Sequence, residues 1–105
     1  MPTIVTDARA FTADRPWGAR DLAEIDGATV RLHWSDQSYH WHVNDGPEVF
    51  VVLEGEVDML YREGGVEKSV RLGPSDLFIA QDGDAHVAHP RGQARILVIE
   101  RKGSV

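Results

Sequence analysis

The residues best suited to chemistry in this sequence are three histidines and one glutamate: His40, His42, His86 and Glu48. Residues i and i+2 of an extended strand project from the same face, so His40 and His42 are expected to point into one space. Imidazoles and a carboxylate form a ligand set for a divalent transition metal, and they suit Mn, Fe, Ni, Cu or Zn without selecting among them. Such a site leaves coordination positions for water, substrate or dioxygen. The alternative is that one or more of these histidines are hydrogen-bonded within the domain and hold no metal.

Length and composition indicate one globular domain. The chain has 105 residues, of which 42% are hydrophobic and 27% are charged, and this balance argues against wholesale disorder. Cysteine is absent, so nitrogen and oxygen atoms alone would hold a metal. The net charge is −6 and there is no basic cluster, so we expect no nucleic-acid partner.

The apolar runs of the chain are short. Val49 to Leu53 and Ile96 to Ile99 are far below the length that spans a bilayer, so no membrane partner is expected. The first residues lack the basic start and apolar stretch of a secretory signal. These features predict a cytoplasmic protein.

The pattern from Ala28 onward is typical of β-strands separated by turn residues. Val30, Leu32 and Trp34 alternate with more polar residues, which predicts a half-buried strand. The run Glu48 to Leu53 is apolar on both parities and is expected to be covered on both faces. Glu54-Gly55 and Arg91-Gly92-Gln93 are interpreted as turns that join separate strands. Seven or eight short strands with such turns predict a single-domain, all-β sandwich or barrel.

The first part of the chain is less regular. We interpret residues 1–27 as an N-terminal extension that packs on the barrel or on a partner subunit, and residues 28–105 as the barrel domain. A short helix is expected near Asp7 to Phe11. Phe11 and Trp17 are the apolar side chains with which this extension would cover its neighbour.

Two stretches of the sequence resemble the motifs of the cupin superfamily, whose members are small antiparallel jelly-roll β-barrels. His40-Trp41-His42, Glu48 and Gly55 match the first motif, although the five residues Val43 to Pro47 make the spacing at least one residue longer than the family pattern. Gly83 and His86 match the second motif. The motif positions at which this chain has another residue are occupied by Trp34, Ser75, Gln81 and Pro90.

The resemblance implies a small single-domain cupin of the RmlC-like type, an antiparallel jelly-roll β-barrel. It also implies that His40, His42, Glu48 and His86 are the metal ligands. Because small cupins commonly pair sheet against sheet, it further implies a homodimer.

A predicted pocket surrounds the metal site. Core packing is the alternative for its side chains, and Gln81 could equally be solvated. His33 and His89 are expected outside the site, on a polar strand face and at the barrel rim. The residues assigned to the pocket wall are Trp34, Tyr39, Phe50, Met59, Tyr61, Phe78 and Gln81.

Two functional hypotheses follow from these patterns. The first is a small cupin that binds a divalent transition metal and a small polar organic ligand, as a metal-dependent isomerase or oxygenase. The second is a non-catalytic module that binds or senses a sugar or another metabolite without metal. The fold alone does not select a reaction.

Overall fold

The computed structural model describes residues 1–104 and confirms the predicted all-β, antiparallel class; Val105, the last residue of the predicted barrel domain, lies outside the described residues. The short helix expected near Asp7 is a 3-10 turn at Ala8–Ala10. In these residues no helix has the length and apolar character needed to cross a membrane. The seven strands of this part of the chain are β1 (Gly18–Ile25), β2 (Ala28–Ser35), β3 (His42–Val43), β4 (Glu48–Glu63), β5 (Val66–Leu72), β6 (Leu77–Ala80) and β7 (Ala85–Arg101).

Strand β1 lies within residues 1–27, the segment predicted to be a less regular N-terminal extension. It pairs with β2 from Gly18↔Trp34 to Ile25↔Ala28. Only Gly18 is buried, because β1 is an edge strand. An edge strand with so little burial needs no apolar alternation, so the sequence carries no periodic signal for it.

Two long bent strands, β4 and β7, form the centre of the fold. The turns predicted at Glu54-Gly55 and at Arg91 to Gln93 are wrong. Strand β4 continues through the first point and strand β7 through the second. The register between β4 and β7 shifts on either side of Glu54, as it does at β-bulges. Gly55 has φ +84°, and a Cβ atom there would clash with the backbone carbonyl of Gln93. The glycine that suggested a turn therefore allows a close approach of two strands.

The bends divide the sheet into two packed layers, as expected for a jelly roll. The first layer has the order β1, β2, the second half of β7, the first half of β4, and β6. The second layer has the order β3, the first half of β7, the second half of β4, and β5. The hydrogen-bonded path is open, since β1 pairs only with β2 and β5 only with β4 among residues 1–104. The jelly-roll prediction is confirmed, with open edges in place of a closed barrel.

The core lies between the two layers. Phe50, Val52 and Ile96 come from the first layer, and Val57 and Met59 from the second. Met59, which was predicted to line the pocket, is completely buried in this core. The core therefore holds the two layers together at one end and leaves the other end for polar residues.

Candidate metal centre and cavity

Three of the four predicted metal ligands converge at the polar end of the fold. His42 on β3 and His86 on β7 are paired across the strands, and their ring centroids are 4.3 Å apart. Glu48, the first residue of β4, comes from the other layer, and its Oε1 lies 3.1 Å from His86 Nε2. One donor atom from each of the three residues lies within 4.8 Å of the others.

His40 is not part of this cluster. Strand β3 begins only at His42, so the alternation that would place both side chains on one face does not extend back to His40. The His40 ring instead stacks on Tyr39 at 4.1 Å, and its centroid is 6.0 Å from that of His42. The four-residue set predicted from the sequence is therefore represented here by three residues.

A buried amide, Asn44, joins two of the donors. Its Oδ1 accepts a hydrogen bond from His86 Nε2 at 2.5 Å, and its Nδ2 donates to Glu48 Oε1 at 3.3 Å. Burial raises the pKa of Glu48, but the hydrogen bonds from His86 and Asn44 outweigh it, so the pKa of this carboxyl is lowered. Glu48 is therefore an ionised carboxylate, although only 7% of the residue is exposed.

Asn44 belongs to the loop that makes the motif spacing too long. Its backbone N–H donates to Asp84 at 2.9 Å, and its carbonyl accepts from the N–H of Gly83 at 2.8 Å. These bonds hold the side chain beside His86. The extra loop residue therefore does not displace Glu48 from the histidines. Sequence reasoning missed Asn44, because nothing distinguishes a buried loop amide from a solvated one.

The three donors fit a divalent transition metal. His42 Nδ1 lies 3.2 Å from the carbonyl of His40, an acceptor, so a proton on Nδ1 leaves Nε2 free for a metal. Burial lowers the pKa of His42 and favours the neutral imidazole that a metal requires. His86 Nδ1 is buried and has no hydrogen-bond partner among residues 1–104. Two imidazoles and one carboxylate are the ligand types of the facial triad found in non-haem iron sites.

A cavity of about 200 Å³ opens beside these donors. Tyr39 and Phe50, which were predicted to line the pocket, do so. Trp17 lies in its wall as well, so this side chain packs on its own chain, with its indole N–H donating to Gln37. The residues that line the cavity are Trp17, Arg31, His33, Tyr39, His42, Glu48, Phe50, His86, Ala88, Val98 and Glu100.

The other residues predicted for the pocket lie outside this lining. Phe78 packs behind the metal centre, with its ring centroid 5.3 Å from His86, and Tyr61 packs on Phe78 at 5.7 Å. Trp34 points to the opposite face of β2 and donates to Gln93. Gln81 is exposed in a turn, where its backbone N–H donates to Asp84.

The inward face of β2 is the polar one, which reverses the expectation for His33. Arg31 and His33 line the cavity, whereas Leu32 faces the other side of the sheet. His33 Nδ1 lies 3.0 Å from the carbonyl of Trp17, and burial lowers the pKa of the ring. Trp34, the residue of this strand that was predicted to line the pocket, lies on the opposite face together with Leu32, which is buried there. His89 does not line the cavity, and it hydrogen-bonds Ser38.

A second carboxyl, that of Glu100, faces Glu48 across β7 and β4. The two residues are paired in register. Burial, followed by the negative charge of Glu48, raises the pKa of Glu100 to about 7. Near neutral pH the cavity therefore holds one ionised carboxylate and one carboxyl that exchanges its proton with solvent.

Glu100 predicts a pH dependence of stability in the metal-free protein. Its folded pKa of about 7 lies above the ordinary 4.5, so the folded state keeps a proton that the unfolded state loses. Stability is thus expected to fall as pH rises through this interval, by about 1 kcal/mol once solvent screening is allowed for. The Glu100→Gln protein should lack this part of the loss in urea unfolding at pH 5 and pH 8. His33 and His42 titrate in both proteins and cancel in the comparison; identical pH profiles would contradict the prediction.

Comparisons with known proteins identify the fold. No protein-family model matches the sequence, and no curated protein matches it. Among solved structures, a cupin-2 domain protein from Shewanella frigidimarina is similar with a TM-score of 0.76 and 23% identity, over 86% of this chain and 85% of that one. The chain therefore has the cupin fold.

Metal enzymes also share this fold. A hydroquinone 1,2-dioxygenase in complex with Fe3+ is similar with a TM-score of 0.76 and 14% identity, over 86% of this chain and 29% of that one. The hydroquinone 1,2-dioxygenase of Sphingomonas with 4-hydroxybenzoate bound gives a TM-score of 0.74 and 18% identity, over 85% and 28%. Each likeness concerns the fold, which positions His42, Glu48 and His86 in this chain.

Proposed function

We propose that this protein is a metal-dependent oxygenase of a small polar organic molecule, with a single divalent transition metal, iron by preference, at His42, Glu48 and His86. The observation that carries the proposal is the convergence of these three donors within 4.8 Å beside a cavity. Two histidines and one carboxylate with open positions are typical of non-haem iron oxygenases. The Fe3+-containing dioxygenase of the same fold supports this choice.

A bound iron would supply dioxygen activation, and the chain supplies the surroundings. His42 and His86 offer imidazole nitrogens, and Glu48 offers the negative charge that favours a cation. Burial, followed by the charges of Glu100 and Glu48, raises the pKa of Tyr39, so its phenol stays protonated and can donate to a ligand oxygen. Phe50 and its apolar neighbours exclude water from the ligand.

Metal loading tests the proposal directly. Untagged protein is incubated without oxygen with Fe(II), Mn(II), Ni(II), Cu(II) or Zn(II), freed of excess metal, and submitted to elemental analysis. We expect about one metal ion per chain, with iron retained. Oxygen uptake by the iron-loaded protein is then measured with hydroxylated aromatic acids and diols. Failure to retain any of the five metals would refute the proposal.

A specific observation favours a second candidate, a metal-free binding module. His86 Nε2 already has two acceptors, Asn44 Oδ1 and Glu48 Oε1, so part of the cluster is satisfied without a metal. In that case, metal-free protein should be stabilised by a metabolite or sugar in a thermal-shift screen, whereas metals should leave its Tm unchanged.

We also propose a homodimer formed through the outer face of the first layer. Leu77 and Ile79 are 54% and 56% exposed there, next to half-buried residues of β4, β7 and β2. The strand register makes the patch continuous, since Val51 pairs with both Leu97 and Leu77. An exposed apolar sheet face of this kind fits a second copy. We call this surface the outer apolar face; it consists of Val30, Val49, Val51, Leu77, Ile79, Leu97 and Ile99.

The dimer proposal predicts a change of mass. Replacing both Leu77 and Ile79 with glutamate places charges in the proposed contact and should convert a dimer to a monomer in light scattering at micromolar concentration. The cavity residues lie on the inner face, so metal content should be unchanged. A wild-type protein that is monomeric under these conditions would contradict the proposal.

A further inference from the structure

We propose that the cavity binds a small organic acid, whose carboxylate is held by Arg31 and whose other end faces the metal centre. This inference names the ligand class of the proposed function and rests on it, because the second end of the ligand needs the metal. Arg31 was not predicted as a site residue, and it is not one of the metal donors.

The guanidinium of Arg31 has unused donors. It is the only lysine or arginine among the residues that line the cavity in the described part of the chain. Its Nε donates to Asp21 Oδ1 at 2.7 Å, and within residues 1–104 its Nη groups donate to no protein acceptor. The two Nη groups and Nε of a guanidinium form a planar fork, and carboxylates commonly bind to such a fork through two oxygens. A carboxylate ligand would therefore satisfy groups that the protein leaves open.

The spacing between Arg31 and the metal donors suits a ligand with two polar ends. Arg31 is on β2 and Glu48 on β4, with β7 between them, and Glu48 is in register with Thr29, two residues from Arg31, so the two backbones are about 12 Å apart. The floor is apolar beside Arg31, because Val98 pairs with both Arg31 and Phe50, and it is polar beside Glu48, which pairs with Glu100. A short carbon skeleton would lie on this floor with oxygen atoms at both ends.

The charges of the cavity favour an anion over a neutral molecule. A divalent ion at Glu48 would leave a net positive centre at one end, and at the other end Arg31, which is paired with Asp21 through Nε, has its Nη groups open to an anion. Glu100 lies between the two ends and forms no ion pair with Arg31 in the described chain. Its carboxyl can accept a hydrogen bond from a hydroxyl group of the acid. A hydroxylated acid therefore matches more of the cavity than a plain one.

A matched pair of probes tests this inference. Binding of 4-hydroxybenzoate and of the neutral 4-hydroxybenzamide is measured by calorimetry on metal-loaded and metal-free protein. We expect the metal-loaded wild type to bind the acid about 10-fold to 100-fold more tightly than the amide, because hydrogen bonds between charged groups are stronger than those to a neutral amide. Arg31→Gln should remove this preference, and Arg31→Lys should keep part of it, because the charge remains while the fork is lost.

The control variant is Arg20→Gln. Arg20 pairs in register with Leu32, so it projects from the opposite side of the sheet, and its nearest acid is Asp7 at 3.8 Å. The Arg20→Gln substitution removes the same charge without changing the cavity, so the preference for the acid should persist. Metal content, measured on the same samples, should be unchanged in Arg31→Gln and Arg20→Gln.

The outcomes separate this inference from the proposed function. If metal binds and Arg31→Gln still prefers the acid, or if the metal-loaded wild type binds no acid at millimolar concentration, the inference is wrong and the metal site stands. If no metal binds but the metal-free protein prefers the acid in an Arg31-dependent manner, the oxygenase proposal fails and the acid site stands. If no metal binds and neither form of the protein prefers the acid, both proposals are wrong.

Discussion

Replacing His42 or His86 with alanine is expected to lower the metal affinity of the protein by more than 100-fold, and Glu48→Gln should do the same. Each change removes one of the three donors that converge within 4.8 Å. Loss of an outer hydrogen-bonding partner alone typically costs 10-fold to 100-fold, so loss of a donor should exceed that range. Competition with a chelator of known affinity, followed by elemental analysis, measures the effect.

Two variants in the same series distinguish the roles of neighbouring residues. His40→Ala should leave metal affinity within a few-fold of wild type, because the His40 ring stacks on Tyr39 outside the cluster. Asn44→Ala should give an intermediate loss of about 10-fold to 100-fold, because Asn44 orients two donors through hydrogen bonds. A loss in His40→Ala equal to that in His42→Ala would instead support the four-ligand set of the sequence motif.

The second large effect is expected at the bend of the long strands. Gly55→Ala should lower the free energy of unfolding by about 3 kcal/mol or more. The left-handed backbone at φ +84° costs about 1–2 kcal/mol for an alanine, and the clash of its Cβ with the Gln93 carbonyl adds to this. Urea unfolding monitored by tryptophan fluorescence measures the loss.

Gly64→Ala provides the matched control for this change. Gly64 has φ +59°, but no atom lies within 4 Å of the position its Cβ would take. Its substitution therefore carries the backbone strain without the clash and should cost about 1 kcal/mol. Equal losses in the two variants would show that the strands separate at Gly55 without cost.

The sequence predicts the architecture well where burial is strong. The apolar runs of β4 and β7 and the alternation of β2 indicated an antiparallel β fold, and the motif residues supplied the three converging donors. The strand ends were less predictable. A glycine such as Gly55 is compatible with either a turn or a bulge. Which of the two forms depends on a partner strand that is remote in the chain.

The lining of the cavity was predicted only in part for a related reason. In a sheet, alternation identifies two faces but not which of them is inside. On β2, Trp34 was predicted to line the pocket and His33 to lie outside it, whereas the structure places Arg31 and His33 in the lining. At the cavity, polar side chains of β2 face the inside of the fold, which is the reverse of the usual burial of apolar side chains. The apolar side chains of this strand point away from the cavity, towards the outer apolar face. Asn44 and Trp17 required a tertiary contact to be recognised at all.

The three donors come from both layers of the fold, and this arrangement has a mechanical consequence. His42 and His86 belong to the second layer and Glu48 to the first. A bound metal ion would therefore cross-link the two layers at the end of the sandwich where the apolar core is absent. Prying the layers apart at that end would then require breaking a coordination bond. The metal-loaded protein should consequently be cleaved more slowly by proteases than the metal-free protein. Its amide hydrogens in β3 should also exchange more slowly.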